Sequence, residues 1–155
     1  VGGEIFNEGI STRTFCGLNS DNILLVGDYT SDDAIDEEIR DGVSFGPALI
    51  INGKGEYGSH MESGINPRTA VGQRADGAIL LLAIDGRQVH SIGATYSDLI
   101  KIMVQYGAVN AGNLDGGSST VMGYEGEIIN HCASVTGPRS IPTGFVVLPE
   151  EESHG

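Results

Sequence analysis

Apolar positions recur along this chain in short runs broken by Gly, Asn, Asp and Pro, a pattern that predicts strands joined by tight turns. Residues 1–22 have only brief apolar touches at Ile5, Phe6 and Phe15 and read as loop and edge strand. Residues 22–26 form a short strand, after which Thr30 opens a helix. Thr30 and Asp33 have capping-box spacing, and Gly42 supplies the stop. Ala34, Ile35 and Ile39 make its narrow apolar face, with Asp36, Glu37 and Glu38 toward water. Residues 48–51 are a strand and Asn52-Gly53 a turn. From Gly55 to Gly64 periodicity disappears, so His60 and Glu62 fall on an exposed loop or a lid.

The run 70–72, the turn Arg74-Ala75-Asp76-Gly77 and the run 78–84 predict a hairpin. Residues 78–84 are the most hydrophobic stretch and are expected to form a central strand, with Gln88 and Val89 starting a return. Residues 95–106 carry the clearest helical period. Tyr96, Leu99, Ile100, Met103 and Tyr106 recur at three and four residues, Thr95 and Asp98 repeat the capping-box spacing, and Gly107 ends the helix. Residues 108–114 are then a strand that delivers Asp115 at its carboxyl end. Residues 121–124 and 127–130 form a hairpin around Glu125-Gly126, residues 144–148 are a last strand, and the tail 150–155 is expected to be disordered. Many strands with two principal helices predict an α+β fold with a mixed or mostly antiparallel sheet, in one domain spanning residues 1–155.

Composition narrows the function classes. The net charge is −13 with only eight Lys plus Arg, which argues against nucleic-acid binding and against adhesion to anionic membranes. A compartment that favours acidic proteins explains the charge equally well. No apolar run approaches membrane-spanning length. Cys16 and Cys132 can pair or stay free, and no Cys/His array marks a structural zinc site.

Chemistry-bearing residues collect at the ends of apolar runs. Asn113-Leu114-Asp115-Gly116-Gly117-Ser118-Ser119-Thr120 gathers a carboxylate, a carboxamide, three hydroxyls and two adjacent glycines. It reads equally as a tight turn and as a ligand loop with exposed N–H groups. Ser44-Phe45-Gly46-Pro47, Asn66-Pro67-Arg68-Thr69, Asp85-Gly86-Arg87 and Arg139 end or follow other runs. Converged, they would supply guanidinium forks for a phosphate and the carboxylate pair Asp85 and Asp115 for acid–base hydrolysis of a glycosidic bond. Separately, Asp85-Gly86 is an ordinary hairpin turn and Arg68 a surface cation. Asp85 and Asp115 also offer oxygen ligands to Ca²⁺ or Mg²⁺, with no EF-hand loop in support. A P-loop and a Gly-x-Ser-x-Gly elbow are absent, and none of the four histidines has a carboxylate at a telling spacing to activate Ser118 or Ser119.

The same stretches carry a resemblance. Residues 113–120 are similar to the signature of the phosphodiester glycosidase domain family, which includes bacterial exopolysaccharide-biosynthesis-related proteins and the catalytic domain of the mammalian uncovering enzyme. Arg40-Asp41-Gly42-Val43-Ser44-Phe45-Gly46-Pro47, Asn66-Pro67-Arg68-Thr69-Ala70-Val71-Gly72, Asp85-Gly86-Arg87, Gly93-Ala94-Thr95 and Gly107-Ala108-Val109-Asn110 match further family motifs in order, over about residues 23–148. The family domain is longer on its amino-terminal side, so truncation there is expected. The resemblance implies hydrolysis of a sugar-1-phosphodiester in an exported or cell-envelope glycan, and an extracellular or envelope location. No cofactor is expected, a divalent cation such as Ca²⁺ at Asp85 and Asp115 having no supporting motif. On it, Asp115 is the first catalytic carboxylate and Asp85 the second. Arg68 and Arg139 bind phosphate, while Asn113, Ser118, Thr69 and Ser44 position the substrate and Gly116 and Gly117 let backbone approach it. A non-catalytic module that binds anionic glycans uses the same polar strand ends and stands as the alternative.

Overall fold

The computed structural model describes residues 2–5, 13–58, 61 and 63–148. His60, Glu62, His154 and the tail 150–155 lie outside the described residues. Strands β1 (Arg13–Asn19), β2 (Leu24–Tyr29) and β3 (Ile39–Val43) form a small antiparallel sheet in the order β2-β1-β3. Strands β4 (Ala48–Ile51), β5 (Lys54–Gly55), β6 (Arg68–Arg74), β7 (Ile79–Ile84) and β8 (Ala108–Leu114) form the main sheet in the order β5-β4-β8-β6-β7, again antiparallel. Helices α1 (Ser31–Asp36) and α2 (Tyr96–Gln105) complete the α+β architecture, with a hairpin of β9 (Gly123–Tyr124) and β10 (Glu127–Ile128).

Helix α2 covers one face of the main sheet. Leu99, Ile100 and Met103 are buried there with Leu49, Ile50, Ala70 and Ala111. The small sheet covers the other face, where Cys16, Leu24 and Val26 pack on Val71. Both layers must approach β6 and β8 closely, and small residues permit it. A Cβ on Gly72 would lie 3.2 Å from Met103 Sδ, and one on Gly112 would lie 3.0 Å from Cys16 Cβ. Burial in this second core pushes the Cys16 thiol up to about 12, and both cysteines are free.

Two buried carboxamides lock the sheets together. Gln73 on β6 and Asn110 on β8 are register partners. The Leu24 N–H donates to Gln73 Oε1 at 2.7 Å, and Asn110 Nδ2 donates to the Leu24 carbonyl at 2.9 Å. Gln73 Nε2 also donates to the Asn22 and Gly77 carbonyls, while Asn110 Oδ1 accepts from Asn52 N–H. Such fully connected polar pairs fix register, because any slip strands a buried polar group.

Several expectations are corrected. The segment before residue 22 supplies β1, the central strand of the small sheet, rather than an edge. Helix α1 ends at Asp36, because Glu38 takes φ 52° and turns the chain into β3. Gly42 is therefore no helix stop: it faces Gly17 across β1–β3, and the Phe15 ring occupies the space of both missing side chains. Ile35 is exposed rather than buried. Strand β7 is an edge, paired only with β6, so its hydrophobicity reports one covered face and not a central position. Gln88 and Val89 lie in a turn, not a return strand. Tyr106 caps α2 and is exposed. The hairpin after residue 120 is shorter than expected, and residues 144–148 form no strand among the described residues; only Phe145 packs on the core.

Two stability predictions follow from these contacts. Gln73→Leu keeps the volume but leaves the Leu24 N–H unpaired, so urea denaturation should show a loss of about 1–3 kcal/mol. In α2, hydrogen bonds from the Thr95 side chain and backbone N–H hold the Asp98 carboxyl below its ordinary value of 3.8. Its contribution is therefore present above that value and lost as pH falls through the depressed one. Asp98→Ala should flatten the acid limb of a stability–pH profile below about pH 5.

Candidate functional site

The site forms where two loops, the β7–α2 connection at both its ends and the loop after β8, close on one dipeptide, Asn66-Pro67, just before β6. Asn66 and Ala94 exchange two backbone hydrogen bonds at 2.9 and 3.2 Å, drawing the segment before α2 onto it. Gly117 N–H donates to the Pro67 carbonyl at 2.9 Å, drawing in the loop after β8. A Cβ on Gly116 would sit 2.6 Å from the Pro67 carbonyl oxygen, one on Gly86 2.7 Å from Pro67 N, and one on Gly93 2.5 Å from the Asn66 carbonyl carbon. These obstacles are backbone atoms, which cannot swing aside as a side chain can. The glycines thus let the loops after β7 and β8 share one strand end, bringing Asp85, Arg87 and Asp115 to the same edge.

Asp115 is held there by its main chain and opened by its side chain. Thr69 Oγ1 donates to the Asp115 carbonyl at 2.6 Å. The carboxylate takes Arg139 Nη2 at 2.6 Å, and Arg139 Nε donates to Ser119 Oγ at 2.6 Å. Both partners are about half exposed, so the pair contributes only about 0–1 kcal/mol to stability. The Arg87 guanidinium lies beside Gly117, with both terminal nitrogens 3.8 Å from the position of a Cβ there, and Arg87 Nη2 donates to Asn66 Oδ1 at 2.8 Å. Two guanidiniums thus flank the 115–119 loop. On either side of that loop, the buried Asn113 Oδ1 and Thr120 Oγ1 have no hydrogen-bond partner among the described residues.

Asp85 anchors a second group. Its Oδ1 accepts from Asn130 Nδ2 at 3.1 Å and His131 N–H at 2.9 Å, while Oδ2 faces His90 Nε2 at 3.3 Å and His131 Nδ1 at 3.2 Å. Burial opposes ionisation of this carboxyl, but the hydrogen bonds from Asn130 and the two histidines outweigh it and hold it below the ordinary range. Asn130 also donates to the Thr120 carbonyl, and Cys132 Sγ contacts the Ser118 carbonyl at 3.6 Å. The Asp85 group is therefore stitched to the Asp115 loop.

The phosphodiester glycosidase family model matches residues 1–148. The chain belongs to that family. A prophage-derived uncharacterized protein of Bacillus subtilis (strain 168), YomE, is 33% identical over 88 residues, covering 57% of this chain and 14% of its own. A hypothetical protein from Synechocystis superposes with TM-score 0.57 at 30% identity, covering 74% of this chain and 22% of its own. The catalytic domain of zebrafish N-acetylglucosamine-1-phosphodiester α-N-acetylglucosaminidase, auto-inhibited by its pro-peptide, superposes with TM-score 0.68 at 24% identity, covering 84% of this chain and 50% of its own. That last likeness shows the fold. The chain spans half or less of the length of each of these relatives.

Set against the family motifs, the anticipated residues divide. Asp115, Gly116, Gly117, Ser118, Thr69 and Arg139 come together. Asp85 joins them through Asn130. Arg68 is buried instead: Nε donates to the Ala94 carbonyl at 3.1 Å, Nη2 to the Gly64 carbonyl at 2.8 Å, and the guanidinium lies 4.1 Å from the Tyr96 ring centroid. Asn113 Nδ2 donates to the Gly46 carbonyl at 2.7 Å, fastening β8 to the turn before β4. Ser44 donates to the Thr14 carbonyl on the small sheet. Neither Ser118 nor Ser119 is hydrogen-bonded to a histidine among the described residues; His90 and His131 gather on Asp85. Sequence reasoning placed Asn66 and Arg87 in polar run ends without giving either a role, weighed His90 and His131 only as partners for Ser118 or Ser119, and passed over Asn130. Arg87 had a local signal in Asp85-Gly86-Arg87, whereas His131 reaches Asp85 only through the fold.

Gly116→Ala should cost about 1–3 kcal/mol in chemical denaturation, because its Cβ meets the Pro67 carbonyl. Gly144→Ala, with open space around it, serves as the neutral comparison.

Proposed function

We propose that this chain carries the reacting carboxylate and phosphate-binding guanidiniums of a hydrolase that cleaves a glycosyl phosphodiester in an exported or cell-envelope glycan. The observation that carries the reading is the Asp115 carboxylate, gripped at 2.6 Å by Arg139 at the end of β8, with Arg87 on the adjoining Gly117. Hydrolysis breaks the bond between the anomeric carbon and the bridging phosphate oxygen. Water supplies the new sugar hydroxyl, and the phosphate departs as a stable anion that needs little protonation. Guanidiniums aimed at the phosphate oxygens then supply much of the catalysis, because charge grows there in the transition state. Asp115 orients the water or balances the oxocarbenium-like carbon.

Arg139 and Arg87 take the phosphate in this scheme. Arg68, with its fork committed to two carbonyls, supports the loop before α2. A single phosphodiester suits a site flanked by two guanidiniums, whereas a nucleic acid would be repelled by a chain of net charge −13. The zebrafish relative acts on an N-acetylglucosamine phosphodiester by its name, which supports a sugar-1-phosphate diester as the substrate class here. A putative exported protein from Burkholderia pseudomallei K96243 superposes with TM-score 0.55 at 28% identity, covering 75% of this chain and 26% of its own, and supports an exported setting. No helix among the described residues is long and apolar enough to cross a membrane.

Turnover of a model glycosyl phosphodiester by the intact parent protein tests the reading. Asp115→Asn should lower kcat by about 100-fold or more with unchanged circular dichroism. Arg87→Ala and Arg139→Ala should lower kcat as well as kcat/KM, because the charge they stabilise grows in the transition state. Near wild-type turnover by Asp115→Asn would remove its assigned role, and binding without turnover in the parent would favour an anionic-glycan-binding module.

A further inference from the structure

We propose that Asp85, His90 and His131 form a binding site for a divalent transition-metal ion, with Zn²⁺ the best match to their donors. The inference rests on ligand geometry and is independent of the glycosidase reading. The one carboxylate oxygen and two imidazole nitrogens lie within 4.8 Å of one another. Asp85 Oδ2 is 3.3 Å from His90 Nε2 and 3.2 Å from His131 Nδ1. The two carboxylate–imidazole separations also fit the edge, about 3.3 Å, of a tetrahedron whose metal–ligand bonds are about 2.0–2.1 Å, and a ring rotation would bring the two imidazole nitrogens to the same spacing.

The carboxylate is prepared for this role. Asn130 Nδ2 and the His131 N–H occupy Oδ1, which fixes the carboxylate plane and leaves Oδ2 to the two rings. The rings meet edge-on with centroids 4.8 Å apart, and their side chains are 53% and 73% exposed, so a small rotation closes the ligand set without repacking a core. Two imidazoles favour Zn²⁺ and its first-row neighbours over Ca²⁺ or Mg²⁺. Three protein ligands leave a fourth position open to water or to a ligand oxygen. Cys132 is adjacent in sequence, but its sulfur is committed to the Ser118 carbonyl.

Equilibrium dialysis of the full, untagged chain against Zn²⁺, followed by metal analysis, tests the site. About one Zn²⁺ per chain is expected, and Co²⁺ should give the visible bands of a four-coordinate nitrogen–oxygen site. His90→Ala and His131→Ala should each weaken Zn²⁺ binding more than about 100-fold, beyond the roughly 10–100-fold effect of a supporting residue, with circular dichroism unchanged. His154→Ala should bind as the parent does. Substoichiometric binding, full-strength binding by the His90→Ala/His131→Ala double variant, or loss of binding in His154→Ala would each overturn the assignment.

Discussion

The Asn66-Pro67 backbone is the constraint on which the candidate site depends. Three glycines, Gly86, Gly93 and Gly116, abut it at distances that no side chain tolerates. Gly86 and Gly93 stand at the two ends of the β7–α2 connection and Gly116 follows β8, and each brings polar groups with it. Asp85 and Arg87 flank Gly86, Thr95 with its helix cap follows Gly93, and Asp115 precedes Gly116. The site is thus assembled by close approach of backbones, and its side chains project from a tightly packed floor. A floor of this kind holds charged groups in place without asking their own ion pairs for stability, which matters because the Asp115–Arg139 pair is too exposed to supply much.

That floor is held in turn by the main sheet. Strands β6 and β8 are covered on both faces, and they end at Arg68 and Leu114, one residue from Pro67 and Asp115. Small residues let helix and second sheet close on them, and the Gln73–Asn110 pair removes any freedom of register at the opposite end. A slip between β6 and β8 would displace Asp115 from Thr69, so the buried carboxamides and the polar strand ends answer to one register. Arg68 belongs to the same scaffold: its guanidinium fixes the segments at Gly64 and Ala94 from inside.

Much of this was legible in the sequence, and the misses have physical causes. Both capping boxes, the 95–106 helical period and the delivery of Asp115 by a strand are local signals, and the structure contains all three. Strand position within a sheet is not local. The run at 79–84 is hydrophobic because one face, Leu80, Leu82 and Ile84, packs on the main core, yet nothing in its composition distinguishes an edge from a centre. Gly42 looked like a helix terminator because a glycine's role depends on what lies above it, here the Phe15 ring. Arg68 and Arg87 are alike on paper. Only the fold shows that one is walled in by carbonyls and an aromatic ring while the other reaches the glycine loop. The Asp85 cluster was illegible for the same reason, since His131 is 46 residues from its carboxylate partner.

The charge distribution gives these placements their weight. The chain carries 21 acidic residues against eight Lys plus Arg. Among the described residues, four of these cations pair with a carboxylate: Arg40 with Asp41, Arg74 with Asp76, Lys101 with Asp98 and Arg139 with Asp115. Arg87 does not: among the described residues its hydrogen-bond partner is the neutral carboxamide of Asn66. Leaving a guanidinium unneutralised in so acidic a protein, beside a glycine held at φ 63° by a backbone hydrogen bond, concentrates positive potential at one point of an otherwise repulsive surface. Under the proposed function, a polyanion would meet net repulsion at this surface, whereas a single phosphodiester would meet the Arg87 and Arg139 guanidiniums, so the acidity that argues against nucleic acid would favour a small phosphate-bearing ligand.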